Sequence, residues 1–180
     1  MEISLTAFAT DCIVRGVLAL GAERLADHLN EGADVAIRDA VPTSLDDGHQ
    51  FVVPSLEVPI ADLCVVVAGG PRGAVGRRVR DRSDLVDVRV GPYSVVGDLH
   101  SPPGSTPFLI HRRRGTFIAM TDAHVIGPAE AVAAADWPTT LLVNWPLIVQ
   151  VMSAGGAVEH LPDPLVRWAP AGERAREILT

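Results

Sequence analysis

Hydrophobic and polar residues alternate along short stretches of this chain, and turn-forming residues separate the stretches. In "VRGVLAL", residues 14–20, Val14, Gly16 and Leu18 share one face, and Arg15, Val17 and Ala19 the other. This is the period-two pattern of a half-buried strand. "YSVVGDLHS", residues 93–101, repeats it, with Val95, Gly97 and Leu99 inward and Ser94, Val96, Asp98 and His100 outward. Other valine-rich runs bounded by glycine and proline predict more short strands. Helical spacing shows only locally. Leu25 and Leu29, followed by Gly32, predict one or two helical turns. "AGERAREIL", residues 171–179, predicts a short C-terminal helix. The pattern as a whole is that of an all-β protein.

The pattern also occurs twice. "DVAIRDAVP", residues 34–42, and "FIAMTDAHV", residues 117–125, are near copies, each an alternating run that reaches Asp-Ala. Upstream, Gly16 answers Gly97, and Leu5, Ala7 and Ala9 answer Val86, Val88 and Val90. Downstream, "VPIADLCVVVAGG" is answered by "VNWPLIVQVMSAGG". The expected organisation is a first repeat over 1–75, a charged connector over 76–83, a second repeat over 84–156 and a tail over 157–180 that contains the short helix. Each repeat reads as strand, turn, strand, loop, strand, turn, strand, strand. A glycine inside a strand marks a bend or a close backbone approach, and a small barrel of five short strands needs such a bend. The Asp-Ala pair is expected to end the third strand and begin a turn, because aspartate readily bonds its own backbone. The copies differ most in the loop between second and third strands. There the second copy has Pro102, Pro103 and the run "HRRRG".

"VRGVLALGAERLADHLNEGADVAIRDAV" resembles the first Sm motif of Sm-like proteins, with an apolar-x-Gly opening, Asp27 and Asn30 in the Asp and Asn places, and an alternating strand ending in Asp39-Ala40. The paired copies also look like an uncharacterised bacterial family of tandem Sm-like small β-barrel repeats. The resemblance implies two tandem Sm-like or SH3-like barrels packed through their repeated faces. In Sm-like proteins the Asn helps bind a uracil base. The resemblance therefore implies an RNA site at Asn30, joined by Arg72 of the Arg72-Gly73 pair that stands where the second Sm motif has Arg-Gly.

Charge and composition narrow the functions. The 180 residues carry a net charge of −7, with aromatics at 4%. Residues 1–87 hold fourteen carboxylates against eight arginines, and residues 88–180 hold eight against seven. A protein that gains affinity from phosphates carries a basic surface, so the charge disfavours nucleic acid and anionic membrane. Few aromatics leave little for a base-stacking platform. The most apolar run, "TTLLVNWPLIVQVM", is broken by Asn144 and Pro146 and is too short to span a bilayer. "MEISLTAFATD" has no basic n-region of a secretory signal. A cytoplasmic location is expected.

Candidate chemistry is sparse. Cys12 and Cys64 lack any CxxC spacing and read as small buried hydrophobes. His28, His49, His100, His111, His124 and His160 show no paired ligand spacing, so no metal site and no cofactor are expected. No GxSxG turn is present, and "AGGPRGAVG" lacks the Lys-Ser/Thr of a phosphate loop, so no catalytic residue is assigned. Arg112, Arg113 and Arg114 form a positive run in an acidic chain, within the loop where the copies diverge. Arginine's planar fork suits carboxylate recognition and interface anchoring. The expected function is a non-enzymatic protein-interaction or scaffold module whose arginine run contacts a partner protein or a second subunit. An Sm-type RNA-binding regulator is the alternative, and a metal-dependent ligand binder or enzyme comes third.

Overall fold

The alternation of the chain becomes strand in a computed structural model that describes residues 1–21, 24–32, 34–69, 82–101, 115–128, 139–153 and 158–159. The first repeat supplies β1 (Glu2–Ala9), β2 (Cys12–Ala19), the helix α1 (Leu25–Asn30), β3 (Val35–Ser44), β4 (Val53–Val58), a 3-10 turn (Ile60–Asp62) and β5 (Leu63–Gly69). The second supplies β6 (Arg82–Val90), β7 (Tyr93–Ser101), β8 (Phe117–Ile126), β9 (Thr139–Asn144), a 3-10 turn (Trp145–Leu147) and β10 (Ile148–Ser153). A two-residue strand, β11 (Val158–Glu159), follows. Arg82 and Ser83, read from sequence as connector, belong to β6. The helix expected at 171–179 lies outside the described residues.

Among the described residues, eleven strands form one sheet in the order β11-β10-β6-β7-β8-β9-β5-β1-β2-β3-β4. Every ladder is antiparallel. Within it the order β10-β6-β7-β8-β9 of the second unit repeats the order β5-β1-β2-β3-β4 of the first. The all-β expectation holds. Two separately closed barrels do not appear, because β9 of the second unit uses its outer edge to pair β5 of the first. The sheet is continuous and open: β4 is not paired with β5, nor β9 with β10.

The repeated glycine and aspartate meet in one feature. β2 pairs β3 up to Arg15↔Val41 and resumes at Val17↔Arg38, so Gly16 faces both Asp39 and Ala40. β7 pairs β8 at Val96↔His124 and resumes at Asp98↔Thr121, so Gly97 faces both Asp122 and Ala123. Two residues opposite one is a β-bulge, which bends and twists its strand. Asp39 and Asp122 both have φ 48° and are the only non-glycine residues with positive φ among those described. Aspartate tolerates this left-handed geometry better than most residues. The Asp-Ala pair therefore lies inside its strand and does not end it, contrary to the sequence expectation. The glycines are required by close approach. A Cβ on Gly97 would lie 2.4 Å from Ala123 Cβ and 2.6 Å from its Cα, and one on Gly16 would lie 2.5 Å from Ile37 Cγ2 and 2.7 Å from Arg38 O.

Each unit folds around its own apolar cluster. β7 alternates buried and half-buried residues along its whole length. Leu25 and Leu29 anchor α1 in the first cluster, and Gly32, at φ 82°, ends the helical segment as its position predicts. The clusters also trade residues. Phe8, Ile13, Cys64, Val65 and Val67 of the first unit belong to the second unit's core, while Phe117 and Leu142 of the second belong to the first's.

Candidate functional site: the unit junction and the outer strand edges

The junction is an antiparallel ladder, Val65↔Val143, Val66↔Leu142 and Val67↔Leu141. All six side chains are buried. Because side chains alternate across a strand, Val66 and Leu142 point into the first core, and Val65, Val67, Leu141 and Val143 into the second. Phe8 meets Tyr93 edge-on, with ring centroids 5.4 Å apart. The Tyr93 hydroxyl donates to Ala9 O at 2.8 Å, and burial pushes its pKa up.

Two asparagines tie one unit to the other. Phe117 N–H donates to Asn30 Oδ1 at 2.7 Å, and Asn30 Nδ2 donates to Phe117 O at 3.3 Å. The amide thus completes both main-chain groups of a residue at the start of β8. Gly115, at φ 122°, leaves room for it, since a Cβ there would stand 2.7 Å from Asn30 Oδ1. Asn144, buried in the second unit, donates from Nδ2 to the carbonyls of Ile60 and Leu63 in the first, at 3.1 and 2.8 Å.

The same surfaces recur at the outer ends of the sheet. Pairing identifies the counterparts. Phe8↔Val65 is answered by Arg89↔Gln150, and Thr6↔Val67 by Asp87↔Met152. Phe8↔Ile13 is answered by Arg89↔Ser94. Hence the apolar face that the first unit buries in the junction is mostly polar on the second. Asp87, Arg89, Ser94, Gln150 and Met152 line a depression there. At the opposite end, Leu56, Glu57 and Val58 of β4 hold the places of Leu141, Leu142 and Val143 of β9. Glu57 is exposed. Phe51 and Val52, just before β4, are 52% and 74% exposed. The outer edge of β4 has no strand neighbour among the described residues, whereas that of β10 is covered by β11 through Val151↔Glu159 and Met152↔Val158.

The residues singled out from sequence fall in different places. Arg72, Arg112, Arg113 and Arg114 lie outside the described residues. Asn30 is engaged with Phe117. His100 Nε2 and Thr121 Oγ1 are 2.6 Å apart, and His124 is exposed on β8. No group of three His, Cys, Asp or Glu side chains among the described residues could hold a metal. Both thiols are free. Burial first, then Asp11, pushes Cys12 up to about 12, and burial first, then Asp62, does the same to Cys64. Such thiols are poor nucleophiles at neutral pH. No helix among the described residues is long and apolar enough to cross a membrane.

Sequence reasoning missed Asn144, Tyr93 and Phe8 as junction residues. Asn144 was visible as the polar break in "TTLLVNWPLIV", but nothing local says what its amide reaches. Compared with protein families, curated proteins and solved structures, the chain matches none.

Proposed function

We propose that this protein is a non-enzymatic interaction module of scaffold type that receives an extended segment of a protein partner along β4. The observation that carries the reading is the edge itself. Among the described residues no strand pairs the outer side of β4, and two large apolar residues, Phe51 and Val52, stand exposed at its start. An open edge offers main-chain donors and acceptors to a further strand, and neighbouring apolar side chains add specificity. We read each unit as a small, strongly bent barrel of the Sm-like kind. The repeated strand order, the paired bulges at Gly16 and Gly97 and a separate core in each unit support that reading. Arg112, Arg113 and Arg114 supply a second contact, to an acidic surface of the partner. The module works in the cytoplasm, where Cys12 and Cys64 stay reduced.

Two variants test the reading by affinity capture from cell extract. Ser55→Pro removes a donor from β4, and Arg112→Ser/Arg113→Ser/Arg114→Ser removes the positive run. Each should weaken capture of the same protein about tenfold, on the order of 1.4 kcal/mol. If the run serves only the partner, the arginine variant should melt as the wild type does. Capture unchanged by both variants would overturn the proposal. So would nanomolar binding of a uridine-rich RNA that Asn30→Ala abolishes without unfolding the chain.

A further inference from the structure

β11 stands on β10 where β9 stands on β5. In the first unit, Val66 and Val67 of β5 pair with Leu142 and Leu141 of β9. Their counterparts Val151 and Met152 on β10 pair with Glu159 and Val158 of β11. The short strand thus fills the place of a fourth strand from a neighbouring unit. The strand that corresponds to β9 is β4, at the far end of the same sheet, with no further strand neighbour among the described residues. An interface between unlike edges is heterologous, so it repeats from molecule to molecule wherever both edges are free.

We propose that β11 is a strand plug, that it holds the chain at two units, and that the β10 edge beneath it docks β4 of a second copy. This rests on the reading of β4 as a docking edge and adds a second copy as an occupant of that edge once the plug is withdrawn. The internal junction shows that edges of this kind pair in this protein. The outer surfaces also complement each other in charge. Inside the chain, Phe8 belongs to the apolar cluster against which Leu147, last residue of its 3-10 turn, packs. At the outer ends the counterpart of Phe8 is Arg89, and the counterpart of Leu147 is Asp62, last residue of the other turn. Two apolar residues that share one cluster inside become an arginine and an aspartate outside. Glu57 and Gln150, in the places of Leu142 and Val65, leave the outer contact less apolar than the inner one. Docking between copies is therefore reversible and salt-sensitive, and the plug competes with it effectively.

The test uses full-length chain and light scattering across a concentration series. Wild type should scatter as a single chain. Val158→Pro/Glu159→Pro, which removes the donors of β11, should add copies as concentration rises, and less so at high salt. In that background Arg89→Glu should weaken association about tenfold or more, and adding Asp62→Arg should restore it. Only unlike-edge docking predicts such a rescue, because each contact then holds one residue of each kind. Ser55→Pro in β4 should abolish association. A wild type that already grows, a folded plug variant that stays a single chain, or association indifferent to β4 and to the Arg89/Asp62 exchange would each overturn the proposal. β4-dependent capture of a different protein by a plug variant that stays a single chain would overturn the plug while leaving the interaction module in place. Loss of both would remove both readings.

Discussion

Leu142 and Glu57 hold the same place on the fourth strands of the two units, yet the leucine is 8% exposed and the glutamate lies open to solvent. Their neighbours on the same strands do not differ in this way. Leu141 and Val143 are matched by Leu56 and Val58, apolar in both copies because each faces its own unit's core. The contrast separates two demands on a duplicated sequence. Positions that face inward answer to the fold and stay alike. Positions that face across to a neighbour answer to what lies there, and they diverge once one copy has a neighbour and the other has solvent. Phe8 against Arg89, Ile13 against Ser94 and Val65 against Gln150 follow the same rule.

Exchanging the residues at this place has the largest expected effect. Leu142→Glu puts a carboxylate into a sealed apolar junction and should cost about 3 kcal/mol or more in urea unfolding. Glu57→Leu should change stability by no more than about 0.5 kcal/mol. Equal costs would mean that the two places are not different environments. The bulge glycines come next. Gly16→Val and Gly97→Val should each destabilise by about 1–3 kcal/mol through overpacking. Gly97 should cost more, because the atom nearest its missing Cβ is Ala123 Cβ, which is fixed to the main chain, whereas at Gly16 it is Ile37 Cγ2, which a side-chain rotation can move. An unchanged denaturation midpoint in both would show that the bulges can relax around a side chain. Asn30→Ala should cost about 2 kcal/mol, since it deletes two hydrogen bonds and strands the Phe117 N–H. A cost near zero would place that amide in water.

The mildest effect is alkaline. Burial raises the Cys12 and Cys64 thiols from the ordinary 9.0 to about 12 in the fold. The folded state therefore holds these protons more tightly than the unfolded chain. Their contribution to stability is full below pH 9.0 and is lost as pH climbs toward 12. The denaturation midpoint should fall across that window, and less steeply in Cys12→Ala/Cys64→Ala. A slope that the double variant leaves unchanged would assign the fall to other groups.

Much of this architecture could be read from the chain. Alternation gave the strands, Leu25, Leu29 and Gly32 gave the one described helix, and the matched Gly16/Gly97 and Asp39/Asp122 gave the repeat. The bulge was half legible. Glycine announced a close approach, but aspartate in a left-handed conformation looks the same in sequence whether it ends a strand or kinks it from within. The fusion of both units into one sheet was not legible. β5 and β9 are each apolar, and an apolar strand does not state which edge will pair with it. Asn30 shows the same limit: its identity was noticed, but its partner lies on the other unit and no local pattern points there.

Residue-resolved hydrogen exchange tests most directly whether the inner edges are sealed and the outer edge is open. The main-chain amides of Val65–Val67 and Leu141–Val143 lie between paired strands on both sides. They should exchange only through global unfolding, with one free energy common to both units. The amides of β4 that point away from β3 should exchange orders of magnitude faster. Junction amides that exchange as fast as those of β4, or two units that exchange with clearly different unfolding energies, would contradict the fused sheet described here.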